Sequence, residues 1–289
     1  MKFIFILFLT FVLTSFLVPF LINYLVLKKL LDQPGPRKIH AYGIPRLGGA
    51  VIFFTALLVI AIFYPDFSKA FPLLFAGLIL FILGIIDDLK SIRWKIKLFF
   101  QIIAVTITVL FFKNFSNNIY LFGALLPPII GIPLFFFFIL GTINSINLMD
   151  GLDGLVSGFS LIVFSVIFLL SYLLKNQLLM VLSVTMVGAL LGFLKFNSNP
   201  AKIFLGDSGS LFLGYSLVAS SIYLSIMKYG YLELAPPIML LALPIIDTLK
   251  VMVLRIVHKK SPFLPDKNHL HHIIFGKNIR HKIVVFLIL

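Results

Sequence analysis

Cysteine is absent from the 289-residue chain, which excludes disulfides and thiolate-bound metal and leaves the redox compartment unmarked. Charge is scarce too: only 12% of residues are Asp, Glu, Lys or Arg, with ten acids and one tryptophan among 289 positions. So little charge cannot cover a soluble domain of this length. What is present is hydrocarbon, 61% hydrophobic residues at a mean hydropathy of +1.12. The composition is that of a polytopic membrane protein, an all-α transmembrane helical bundle forming one domain over residues 1–289. The net charge is +14, yet nucleic acid is not the expected partner. The basic residues flank apolar runs, a placement that suits anionic lipid headgroups, phosphorylated ligands and membrane topology.

Nine apolar runs approach the roughly 20 residues that a helical span requires. They cover about 3–27, 47–64, 71–86, 96–112, 127–146, 155–174, 178–194, 209–227 and 236–257. A tenth starts near Ile283 and stops at Leu289, too short to cross, and reads as a truncated span. The first run has the flanks of a signal peptide but is too long and lacks a clear small-residue cleavage site, so it is expected to stay as a span. Eighteen of the 24 Lys and Arg fall in one set of alternate loops and five in the other, with Lys250 inside the ninth run. By the positive-inside rule the first set is cytoplasmic and the N-terminus lies outside. Acids contribute little to topology, so their sorting carries separate information. Only Asp66 and Glu233 fall on the outer side, whereas Asp87, Asp88, Asp150, Asp153, Asp207 and all six histidines fall on the cytoplasmic side.

Four clusters on that side carry candidate chemistry. Asp87 and Asp88 are adjacent carboxylates that repel unless a cation stands close. A divalent metal explains the pair, and so does a solvated acid pair capping the next basic helix. Arg93, Lys95, Lys97 and Trp94 follow and also suit a headgroup anchor. Asn147, Asp150 and Asp153 are spaced by three, which on a helical turn puts all three oxygens on one face, a donor type suited to magnesium. The plain alternative is a helix cap for the run beginning near Leu155. Asn197 to Ser210 forms the next loop, and Gly206-Asp207-Ser208-Gly209-Ser210 opens a run with free backbone N–H groups, either an N-capped helix start or an anion site. His269, His271 and His272 can bind metal, donate to phosphate or shuttle protons, or can simply sit in an interfacial helix. Asp247 and Lys250, one turn apart inside the ninth run, read as a structural pair outside the site. The first loop adds Arg37, Lys38, His40 and Arg46 among Pro and Gly, fitting a phosphate loop or ordinary positive-inside charge.

Taken in order, Asp87-Asp88, Asn147 to Gly154, Asn197 to Ser210 and His269-Leu270-His271-His272 resemble the polyprenyl-phosphate N-acetylhexosamine-1-phosphate transferases, glycosyltransferase family 4. Arg37, Lys38, His40, Pro45, Gly48 and Gly49 look like the first loop of that family, so the resemblance spans nearly the whole chain. It implies an enzyme of the bacterial inner membrane that moves a sugar-1-phosphate from a UDP-sugar to undecaprenyl phosphate and releases UMP at the cytoplasmic face. Leu270 interrupts the histidines, which is similar to the N-acetylglucosamine branch rather than the phospho-N-acetylmuramoyl-pentapeptide branch with three consecutive histidines. By the same resemblance Asp207 and Asn147 hold magnesium, or manganese in its place. Asp87, Asp88, Asp150 and Asp153 are the catalytic acids, and Lys97, Asn197, Arg37, Lys38, His269, His271 and His272 contact substrate. A homodimer is among the assemblies the resemblance allows. A transporter or flippase is the contrasting class, and it needs ionisable residues near the bilayer midplane and paired broken helices. The acids here sit at one face instead.

Overall fold

The computed structural model describes residues 1–32, 43–64, 66–116, 118–258, 270–275 and 281–289. Its helices follow the apolar runs. Helix α1 is Lys2–Leu27, and two short strands, β1 (Leu31–Asp32) and β2 (Ile44–Pro45), lead into α2 (Gly48–Phe63). Next come α3 (Phe67–Lys90), α4 (Trp94–Phe111), the single turn α5 (Lys113–Ser116), β3 (Ile119–Leu121) and β4 (Ala124–Leu126). Helices α6 (Pro128–Met149), α7 (Leu155–Leu173), α8 (Gln177–Asn197) and α9 (Gly206–Tyr229) build the middle of the bundle. The chain then runs through β5 (Leu232–Glu233), α10 (Ala235–Leu240), α11 (Ala242–Val257), α12 (Leu270–Phe275) and α13 (His281–Ile288).

Against the nine runs read from the sequence, seven helices among the described residues are long and apolar enough to cross a membrane. The second run is α2, at 16 residues only about 24 Å long and short of a hydrocarbon core of about 30 Å. The ninth run is broken into α10 and α11 at Leu241. Pro244 supplies the physical reason, since it has no N–H to offer the Leu240 carbonyl one turn back. The chain is an integral membrane protein of helical type, and the purely helical expectation is corrected only at its margins. Strands β1 and β2 pair antiparallel, and β3 pairs antiparallel with β4 and parallel with β5. Periodicity could not reveal them, because each strand is two or three residues long.

The small sheet at the end of the bundle remote from the acids is held by Glu233. Its carboxylate, 5% exposed, accepts from the backbone N–H groups of Phe122, Gly123 and Ala235, each at 3.1 Å. Phe122 and Gly123 both have positive φ, 51° and 78°, the conformation of a tight hairpin turn. The carboxylate therefore satisfies the turn that joins β3 to β4.

Of these seven helices α8 and α9 are the most enclosed, 78% and 83% buried along their apolar stretches, and α1 and α4 lie outermost at 22% each. The polar chemistry of α9 thus begins at one end of the helix the others surround.

Candidate active site at the acidic end of the bundle

Helix α9 starts where three backbones meet. The N–H groups of Gly48 and Gly49 donate to the carbonyls of Phe204 (3.0 Å) and Leu205 (2.9 Å), and the Phe204 N–H donates to the Pro45 carbonyl at 2.8 Å. A side chain on Gly49 would collide with the Gly209 backbone, and one on Gly84 with the Ser208 backbone. Glycine at 49 and 84 therefore lets α2 and α3 touch the first turn of α9, the close approach that small residues give in membranes.

Asp88 completes this junction from α3. Its Oδ1 accepts from the Asp207 N–H at 2.8 Å and its Oδ2 from the Ser208 N–H at 3.0 Å. Those amides are among the four that a helix start leaves without partners, so Asp88 caps α9 from another helix and its charge faces the positive end of the helix dipole. The sequence reading had a plain alternative in which the acid pair caps the next basic helix. The helix capped by Asp88 is α9, 119 residues further on, and it is Asp87 that turns toward the following segment. Asp87 Oδ1 accepts from the Ile92 N–H at 2.7 Å, while its Oδ2 is in contact with the Lys97 ammonium.

Lys97 is the hub. Its Nζ lies 2.6 Å from Asp207 Oδ2 as well as against Asp87, so one cation from α4 joins the acid of α3 to the acid of α9. Asn147, at the end of α6, donates through Nδ2 to Asp207 Oδ1 (3.2 Å) and to Ser210 Oγ (2.8 Å). One turn deeper Gln101 and Asn144 exchange amide hydrogen bonds of 3.3 and 2.9 Å, fixing α4 against α6 at the level of Lys97 and Asn147. Gln101 and Asn144 were not singled out in the sequence, whereas Ser210 stood in the Gly206-Asp207-Ser208-Gly209-Ser210 segment. A buried amide in an apolar run was the available signal, since such a group needs a partner.

Asp150 follows α6 and is partly buried. Burial, seconded by the charges of Asp207 and Asp88 and opposed by Arg46, pushes its carboxyl up to about 8. Arg46 itself is 3.1 Å from Asp32, a pair that ties β1 to the end of β2 at the root of the first loop. Asp153 has a different task. Its Oδ2 accepts from Asn199 Nδ2 at 2.9 Å and from the Ala201 N–H at 3.1 Å, which binds the loop before α7 to the loop before α9. The Asp153 N–H donates to His281 Nε2 at 3.2 Å.

The structure thus gathers Asp87, Asp88, Lys97, Asn147 and Asp207, with Asp150 electrostatically joined to them. Asn197 is set apart. It is 4% exposed, its Oδ1 accepts from Ser157 Oγ at 2.9 Å, and its Nδ2 donates to the Ile203 carbonyl at 3.0 Å. Both ends of the amide are hydrogen-bonded within the protein and shape the loop. Arg37, Lys38, His40 and His269 lie outside the described residues, as do the side chains of His271 and His272 on α12. Asp247 accepts from the Leu270 N–H at 2.8 Å and so connects α11 to the start of α12.

Among the described residues no group of three acid or histidine side chains is arranged as a ready metal site. What is arranged is a pair of carboxylates, Asp87 and Asp207, gathered around one positive charge, with the Asn147 amide nitrogen bonded to Asp207. That set fits a hard divalent cation such as magnesium in donor chemistry.

Residues 70–225 match the family model described as glycosyl transferase family 4. The chain belongs to that family. The match runs from α3 to α9 and so contains every member of the acidic cluster, while the first loop and the histidine segment fall outside it. A Bacillus subtilis relative named "Probable undecaprenyl-phosphate N-acetylglucosaminyl 1-phosphate transferase" is 34% identical over 261 residues, 89% of this chain and 73% of the relative. A Thermotoga maritima relative named "Undecaprenyl-phosphate alpha-N-acetylglucosaminyl 1-phosphate transferase" is 32% identical over 260 residues, 90% of this chain and 78% of its own length. A Caldicellulosiruptor bescii relative named "Phospho-N-acetylmuramoyl-pentapeptide-transferase" is 30% identical over 295 aligned positions, 93% of this chain and 87% of the relative.

Proposed function

We propose that this chain transfers N-acetylglucosamine 1-phosphate from a UDP-sugar to undecaprenyl phosphate and releases UMP, at the cytoplasmic face of the bacterial inner membrane. The observation that carries the reading is the convergence of Asp87 and Asp207 on Lys97, beside Asn147, where a membrane bundle meets water. The names of the Bacillus and Thermotoga relatives support the sugar and the lipid. The excess of Lys and Arg in the loops at the acidic end supports the cytoplasmic side.

The reaction forms one P–O bond and breaks another. An oxygen of the lipid phosphate attacks the phosphorus that bears the sugar, and the bond to UMP breaks with its electron pair leaving on the UMP phosphate. Positioning and electrostatics supply most of the acceleration in phosphoryl transfer. Lys97 carries the positive charge nearest the reacting phosphates and orients them. Asp87, unlike Asp88, keeps its carboxylate at the hub, where it receives the proton of a monoprotonated acceptor phosphate or holds the acceptor in line. Asp88 acts through α9 by fixing the backbone of Asp207. Asp207 and the Asn147 amide oxygen would hold magnesium or manganese, whose chemistry there is to neutralise charge on the diphosphate. Asp150 faces the nucleotide side, and Asp153 orders the two loops that frame it. Arg37, Lys38, His269, His271 and His272 are assigned to the diphosphate and the sugar.

The test is UMP release by purified protein given undecaprenyl phosphate, magnesium and either UDP-N-acetylglucosamine or UDP-N-acetylmuramoyl-pentapeptide. Release with the first sugar alone is expected. Release with the second alone would transfer the chain to the reaction named for its Listeria relatives, which are 36–37% identical over 73% of this chain. No release from either by folded protein would refute the enzyme reading.

A further inference from the structure

A cavity of about 280 Å³ lies between α2, α3, α8 and α9, well away from the acidic cluster. It is lined almost wholly by hydrocarbon and aromatic carbon, and the hydroxyl of Tyr215, one of its few polar groups, is already bonded to Thr108 Oγ1 at 3.0 Å. Water does not fill such a space, because a site this apolar gives it no partners. Close-packed interiors do not leave voids of this size empty either. The remaining solvent is the bilayer. Phe71 and Phe75, both exposed on α3, form part of the lining, so the cavity reaches the lipid-facing surface there.

Its depth identifies which hydrocarbon enters. On α9 the lining begins at Phe212 and ends at Tyr223, roughly 9 to 25 Å along the helix from Gly206. On α3 and α8 it uses the halves remote from the acids, Phe71 to Leu78 and Leu178 to Met186. Between cavity and acids stands an aromatic floor. Phe53 stacks on Phe81 at 3.9 Å and 8°, and Phe212 meets Phe53 edge-on at 5.0 Å and 81°. Inside the bundle this floor separates the cavity from Lys97, and the mouth at Phe71 and Phe75 lies toward the opposite leaflet. A lipid anchored in the opposite leaflet meets its mouth directly.

We infer that this cavity is a binding site for one acyl chain of a phospholipid from the leaflet opposite the active site, distinct from the place of the polyprenyl acceptor. The bound chain completes the packing of α2 and α3 against α8 and α9, and α2, α3 and α9 carry Gly49, Asp87, Asp88 and Asp207 at their other ends.

The experiment uses the whole protein in detergent. Native mass spectrometry is expected to find one tightly retained phospholipid, and stripping it is expected to lower the Tm until dioleoyl phosphatidylglycerol is added back. Ala219→Phe and Ala56→Phe, each filling the cavity from a different wall, are expected to lose both the retained lipid and the response to added lipid. Should neither variant fold, wild-type protein is photolabelled with a phosphatidylglycerol carrying a diazirine on its acyl chain, with labels expected on peptides spanning Phe71–Leu78 and Leu178–Met186. Unchanged lipid retention in a folded filled variant, or labels confined to other helices, overturns the inference. Displacement of the retained lipid by undecaprenyl phosphate also overturns it, since the occupant would then be the substrate tail. None of these readouts depends on UMP release, so the site and the enzymatic reading fail separately.

Discussion

Asp88 Oδ1 accepts the backbone N–H of Asp207 at 2.8 Å, so one acid of α3 sets the position of the acid at the head of α9. Its second oxygen takes the Ser208 N–H at 3.0 Å, and the two bonds together replace an ordinary N-cap. Removing a cap destabilises by about 1 kcal/mol. Asp88→Ala is therefore expected to lower the Tm modestly but turnover by about 10²-fold, because Asp207 loses its register with the reacting phosphates. Asp88→Asn keeps one acceptor oxygen and should retain more activity than Asp88→Ala. Equal UMP release from the two variants would show that capping is not the role.

Lys97 contacts both Asp87 and Asp207, so a divalent cation bound at those carboxylates would have to compete with it. Lys97→Gln should bind Mn2+ more tightly than the parent protein, read by electron paramagnetic resonance without substrate, while its turnover falls by about 10²-fold for loss of a charge aimed at the transition state. Weaker Mn2+ binding in the variant would mean that Lys97 organises the carboxylates rather than competing for them.

The Asp150 carboxyl is raised by burial from the usual 3.8 to about 8, so the folded state holds its proton where the unfolded chain has released it. The stability this proton provides is complete below pH 3.8, declines as pH rises through the interval, and is gone above about pH 8. Asp150→Asn lacks the titration. The Tm of the parent minus that of Asp150→Asn, measured without divalent cations, is expected to fall steadily from pH 4 to pH 8 and then level. A difference that is flat across this range would place the carboxylate in a more favourable setting than its surroundings indicate.

Glu233 holds three backbone N–H groups at the end of the molecule remote from the acids. Glu233→Ala strips the partner from the buried Ala235 N–H and leaves the two turn N–H groups to water, a loss of about 1–2 kcal/mol. The expected result is a clear drop in Tm with unchanged UMP release per folded molecule. Glu233→Gln, which keeps acceptor capacity, should fall between the two proteins.

Much of the molecule was legible without coordinates. Apolar runs are long and charges expensive inside a bilayer, so helix positions and the clustering of acids on one side follow from composition and spacing. The resemblance carried by Asp87-Asp88, Asn147 to Gly154 and Asn197 to Ser210 already placed the chain among its relatives. Spans near the length limit were less legible: the apolar run 236–257 does not show the break that Pro244 makes in it, whereas the ends of α2 were read to within a residue.

Sequence alone therefore determined that this is a helical membrane protein with an oxygen-rich site at one face, because hydrophobicity and charge placement are local properties of the chain. Only the tertiary structure decided how the acids divide their work. Asp88 caps a helix 119 residues away, Asp153 and Asn197 bind loops together, and Asp87 and Asp207 share Lys97. Those roles depend on which backbone N–H or ammonium comes within 3 Å of each oxygen, and hydrogen bonds between distant segments leave no periodicity in the sequence to read.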